Sequence, residues 1–84
     1  MDKKTKATLA WEAILAILVM KKDIPDTNRL MRSHMQHVPK PHLTAVQFIM
    51  IGSGLATPEL IPDGDWGEQS DKSLNDLYWA TNGS

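Results

Sequence analysis

Three histidines lie close together, at His34, His37 and His42. His34 and His37 are three positions apart, a spacing at which two imidazoles on one helix can share a metal ion, and His42 would supply a third ligand. The spacing permits a metal without requiring one, and His34 falls on the apolar side of its predicted helix, where a packed histidine is common. We therefore expect no metal and no cofactor.

Three acids follow near the other end, at Asp63, Asp65 and Glu68. A calcium loop of the EF-hand type would need glycine in place of Glu68 and an acid in place of Leu74. Acid–base catalysis would need an apolar pocket that raises the pKa of one carboxyl, whereas the glycines between these acids predict a solvated loop. With no cysteine nucleophile and no serine in a nucleophile-elbow sequence, we expect no enzyme.

The segment Phe48–Thr57 has the sequence FIMIGSGLAT. It resembles the strand and glycine loop that begin flavin and dinucleotide-binding proteins, where backbone amides meet a pyrophosphate. Thr57 stands where the third glycine belongs, Pro58 follows, and the remaining chain is too short for a doubly wound sheet. We therefore expect glycines that end a buried helix.

The residues from Ala7 to Met20 are apolar apart from Thr8 and Glu12, and lysines flank them. They predict a helix over about 5–22 that is apolar on nearly every side. Such a helix is either central to the bundle or shared with a second copy in a homodimer. The apolar run rises about 21 Å, less than the roughly 30 Å of a bilayer core, so we expect no membrane association.

Prolines and glycines divide the rest of the chain into helical pieces. A second helix runs from about 23 or 26 to 38, and a third from 41 to 52. Val46–Ile51 alone also fits a buried strand, but helix is favoured because no partner strand exists. A short piece begins at Thr57–Leu60, and a last helix spans about Ser70–Trp79.

These pieces predict one all-α domain over residues 1–84, a small compact bundle of three main helices plus a short C-terminal helix. Residues 1–4 and 81–84 are expected to be frayed. The absence of cysteine fits the cytoplasm. Small size and missing motifs are also usual in accessory proteins of phages and plasmids.

The net charge of −1 hides an uneven distribution. Residues 1–40 carry +4 and residues 41–84 carry −5. Either half could meet an oppositely charged partner, or the two halves fold together and neutralise each other.

Double-stranded DNA is the alternative partner. Residues 24–52 would form a helix-turn-helix-like pair in a small transcriptional regulator. The candidate contacts are Arg29, Arg32, Lys40, His42 and Gln47.

Two stretches, Leu43–Gln47 and Thr57–Leu60, are together similar to the entry to the DNA-binding part of MarR-like winged-helix regulators. The resemblance implies a recognition helix at about Ser70–Trp79. That helix carries Asp71 and Asp76, which would repel phosphates.

Our leading interpretation is a non-enzymatic protein-binding module that acts stoichiometrically as an adaptor, assembly factor or inhibitor. Trp66 lies in a polar loop, where an aromatic side chain either folds back as a lid or projects as an interface anchor. The candidate contacts with a protein partner are Trp66, Asp63, Asp65, Glu68 and Trp79.

Overall fold

The computed structural model describes residues 2–18 and 35–81, and these residues form three helices. They are α1 (Lys3–Ile17), α2 (Lys40–Gly52) and α3 (Glu68–Thr81). The predicted all-α class is confirmed. No fourth, short helix is seen in the described part of the chain. Most of the predicted helix over 23–38 lies outside the described residues.

Helix α1 begins two residues before its predicted start because Asp2 caps it. The Asp2 carboxylate accepts a hydrogen bond from the backbone N–H of Thr5 at 2.7 Å, which satisfies one of the free donors of the first turn. The helix ends at Ile17, with Leu18 as its C-cap. The predicted end at residue 22 is therefore too late, and residues 19–22 lie outside the described residues.

Helix α2 starts at a Pro-Lys-Pro sequence, where proline suits the first turn because it has no N–H to lose. Residues 46–51 are helical, so the strand alternative is wrong. The helix ends at Gly52, Ser53 is its C-cap, and Gly54 then adopts a φ of 78°. A left-handed glycine at this point is typical of a helix C-terminus, as the sequence predicted.

Helix α3 begins earlier and ends later than predicted. Its first turn carries Glu68 and Asp71, whose charges are favourable beside the positive end of the helix dipole. The predicted short helix at Thr57 is instead a single turn, closed by a hydrogen bond from Leu60 N–H to the Thr57 carbonyl at 3.1 Å. Pro62 follows at once and prevents continuation.

All three helices contribute to one apolar core, and α1 packs against both others. Trp11 of α1 meets Tyr78 of α3 with ring centroids 5.3 Å apart. The most deeply buried apolar side chains are Ala7, Ile14, Leu15, Met35, Val46, Met50, Leu74 and Leu77.

One side of α1 is exposed, so the described residues do not enclose this helix on every side. Leu9 is 52% exposed, and Ala13 and Ala16 are also exposed. The apolar circumference of α1 is therefore wider than the face it buries. Within the described ranges, no helix is long and apolar enough to cross a bilayer.

Candidate functional site

A cleft of about 420 Å³ lies where the loop after α2 meets the first turn of α3. Residues 59–70 form it, and this stretch holds four acids and no lysine, arginine or histidine. The side chains that line the cleft are those of Glu59, Leu60, Ile61, Asp63, Asp65, Trp66, Glu68, Gln69 and Ser70. Leu60 and Trp66 are buried, whereas Ile61 is 66% exposed. The cleft thus combines apolar side chains with carboxylates.

Gln47 of α2 fixes the loop in place. Its side chain is completely buried. Its Oε1 accepts a hydrogen bond from Gly64 N–H at 2.8 Å, and its Nε2 donates to the Asp65 carbonyl at 2.9 Å and to Ser70 Oγ at 3.0 Å. One buried amide therefore joins α2, the loop and α3, and its donors and acceptor are used within the protein.

Gly64 allows the loop to pack on the start of α2. Its φ of 80° lies in the left-handed region that favours glycine. A Cβ at this position would clash with Lys40 Cγ and lie 2.8 Å from Thr44 Oγ1. Beyond this contact, Lys40 Nζ reaches to 4.0 Å from Asp65 Oδ1, and both side chains are mostly exposed. This ion pair contributes little to stability because water screens it.

Trp66 folds back into the protein, which is one of the two placements that the sequence left open. Its side chain is 6% exposed, and its indole Nε1–H donates to Asp71 Oδ1 at 2.6 Å. The other placement, a projecting anchor, is wrong because burial of the ring and a partner for its N–H both favour the core. Trp66 lines the cleft from this buried position.

The start of the loop is tied to α3 by Thr57. Its N–H donates to Ser73 Oγ at 3.0 Å, and its hydroxyl donates to Gln69 Oε1 at 3.0 Å. A further bond, from Asp65 N–H to Asp63 Oδ1 at 2.9 Å, tightens the turn inside the loop. These polar links were not predicted, since hydrophobic spacing carries no information about which hydroxyl meets which amide.

The structure brings four of the five predicted protein contacts together at the cleft: Asp63, Asp65, Trp66 and Glu68. The fifth, Trp79, does not line the cleft. It lies near the opposite end of α3, is 54% exposed, and meets the Tyr78 ring at a centroid distance of 5.8 Å.

The predicted DNA contacts are not gathered in the same way. Lys40 and His42 are exposed on the first turn of α2. Gln47 is wrong as a base-reading residue because it is buried and its amide is already bonded. Arg29 and Arg32 lie outside the described residues.

A metal site is likewise not assembled from the parts of the chain that are described. Across residues 2–18 and 35–81, no three histidine or acidic side chains are grouped so that they could hold an ion. His37 and His42 are exposed, and His34 lies outside the described residues.

A second exposed apolar set lies on α2. Phe48 is 58% exposed and Ile51 is 39% exposed, whereas Leu43, Val46 and Met50 on the inner side are buried.

Comparison of the chain with protein-family models, curated proteins and solved structures finds no match.

Proposed function

We propose that this protein is a non-enzymatic binding module that acts stoichiometrically on another protein, as an adaptor, assembly factor or inhibitor, through the cleft over residues 59–70. The observation that carries the proposal is the pairing of an exposed apolar side chain, Ile61, with four carboxylates around one concave surface.

The hydrogen bonds of Gln47 support this function because they order the surface before a partner arrives. A loop that is already ordered loses less conformational entropy on binding, so more of the contact energy appears as affinity. Carboxylates around the cleft speed the encounter with a cationic partner surface and disfavour binding of anionic surfaces.

The same carboxylates argue against the DNA alternative. Lys40 is exposed and could meet a phosphate, but its ammonium lies 4.0 Å from Asp65 Oδ1. A duplex approaching the start of α2 would bring phosphates towards the acidic loop, which is repulsive.

The function is tested by binding and stoichiometry. The immobilised protein is used to capture proteins from a cell lysate, and each captured protein is purified and mixed with the soluble chain for light scattering. We expect a complex of fixed stoichiometry that Ile61→Ser weakens. Asp76→Asn, which removes an exposed α3 carboxylate outside the cleft, should leave it intact.

Two results would contradict the proposal. One is that no captured protein forms a defined complex. The other is that a DNA duplex raises the molar mass at low salt and is released at higher salt, which would favour the regulator.

A further inference from the structure

We propose that the occupant of the cleft is a cationic peptide segment in which lysines or arginines flank one apolar side chain. This inference rests on the protein-binding function proposed above, and it names the chemistry of the partner.

The apolar part of the occupant follows from the cleft's side chains. Leu60 and Trp66 belong to the protein core and also line the cleft, while Ile61 stands 66% exposed beside them. An apolar side chain placed against Ile61 removes both surfaces from water. A wholly polar peptide would leave Ile61 exposed.

The cationic part follows from charge complementarity. Glu59, Asp63, Asp65 and Glu68 all line the cleft, and the segment that holds them has no positive side chain of its own. Lys40 Nζ of α2 lies 4.0 Å from Oδ1 of one of them, Asp65. Cationic side chains from a partner would oppose the remaining negative charge.

A peptide fits better than a metal ion, because a divalent cation needs several oxygens that converge on one point. In the described part of the chain, no three acidic or histidine side chains lie close enough together to hold a metal ion. They are spread around apolar side chains, and the Asp63 carboxylate is bonded to the backbone N–H of Asp65. Positive charges spaced along a peptide match this arrangement.

The experiment is selection from a phage-displayed library of random peptides on the intact protein. The counter-selection uses a variant with three neutralised cleft acids, Glu59→Gln, Asp65→Asn and Glu68→Gln. Asp63 is kept because its carboxylate holds the turn. Circular dichroism melting establishes that every variant is folded.

We expect enriched peptides with lysine or arginine on both sides of an apolar residue. A synthetic copy of the most enriched peptide should bind in isothermal titration. The triple variant should weaken that binding by about tenfold or more, since three exposed charge pairs are lost, and Ile61→Ser should weaken it as well. The matched control Asp76→Asn should change affinity by less than about twofold, because distant charges are screened.

The inference is overturned if no peptides are enriched, if the enriched peptides are neutral or acidic, or if the triple variant binds them as tightly as the wild type. The protein-binding function still stands in those cases if captured partners form complexes of fixed stoichiometry that Ile61→Ser weakens. If captured partners are also missing, both proposals are wrong.

Discussion

Gln47 makes three hydrogen bonds from a completely buried side chain, and its loss would leave several polar groups without partners. We expect Gln47→Leu, which nearly keeps the volume, to lower the free energy of unfolding by about 2–4 kcal/mol, since each buried orphan group costs about 1–3 kcal/mol. Urea denaturation measures this. Gln36→Leu, at an exposed position, should stay within about 0.5 kcal/mol of the wild type; equal losses in the two variants would contradict the role of Gln47.

Gly64 and Gly52 are sites for a second pair of matched substitutions. A side chain at Gly64 meets both a positive φ and the first turn of α2, whereas one at Gly52 meets nothing within 4 Å. We expect Gly64→Ala to destabilise by about 1–3 kcal/mol, from backbone strain and displacement of Lys40. Gly52→Ala should be neutral or stabilising by up to about 1 kcal/mol. Thermal melting measures both effects. An unchanged melting midpoint for Gly64→Ala would contradict the packing of the Gly64 loop against α2.

Trp66 and Trp79 differ in burial, at 6% and 54% exposure. Trp66→Ala should cost about 3–5 kcal/mol because it removes a large core side chain, whereas Trp79→Ala should cost less than about 1 kcal/mol. Trp66→Phe keeps most of the ring and removes the bond to Asp71, so we expect about 1–3 kcal/mol. Guanidinium unfolding followed by circular dichroism gives all three values. A Trp66→Ala variant as stable as Trp79→Ala would contradict the buried position.

At the scale of the helix, the Asp2 cap makes the start of α1 sensitive to pH. Hydrogen bonds from the Thr5 backbone and side chain hold the pKa of Asp2 below its ordinary value of 3.8. A carboxyl with a depressed folded-state pKa adds stability that is fully present above the unfolded value and is lost as the pH falls through the folded one. The cap should therefore persist at neutral pH and be lost only as the pH falls through the lowered pKa of the folded state.

An NMR titration of the Asp2 carboxyl checks this, with the Thr5 amide shift as the second reporter. Asp2→Ala should remove the low-pH change at the Thr5 amide. An Asp2 midpoint at or above 3.8 would contradict the cap.

The helices could be predicted because their apolar side chains repeat at helical spacing. Leu43, Val46 and Met50 mark the inner face of α2, and Leu74 and Leu77 that of α3. The positions of the helix ends were predicted less accurately, because polar residues such as Glu68 determine them through capping and charge. The short helix predicted at Thr57 is only a single turn, because the Thr57 hydroxyl bonds to Gln69 instead of capping a helix and Pro62 prevents continuation.

The cleft could be predicted only in part. A run of acids around a tryptophan is visible in the sequence and indicated a surface for a partner. The position of the Trp66 ring and the burial of Gln47 depend on contacts between separate elements, which spacing along one helix does not reveal. Gln47 offered no signal beyond being polar in an otherwise apolar run.

For the whole molecule, the basic and acidic halves of the chain meet at one described ion pair, Lys40 with Asp65. Both side chains are largely exposed, so this contact contributes little to stability.

A homodimer through α1, one of the two alternatives for this helix, would use the open strip of Leu9, Ala13 and Ala16. Light scattering should then give twice the chain mass of 9.4 kDa, and Leu9→Glu should return it to one chain because a buried charge is costly. Lys72→Glu, which changes an exposed residue on α3, is the control. A wild-type mass of one chain across the accessible concentrations would contradict the dimer.

Because Gln47 and Thr57 tie the loop to helices that are distant in sequence, the cleft exists only in the folded chain. Any ligand of the cleft then binds the native state and not the unfolded one, so binding and unfolding are thermodynamically linked. At a free concentration of one hundred times Kd, such a ligand adds about 2.7 kcal/mol to stability, and each kcal/mol raises the melting temperature of a domain of this size by roughly 4–8 °C. Partners of this protein can therefore be sought by a simple melting screen, without an assay for activity.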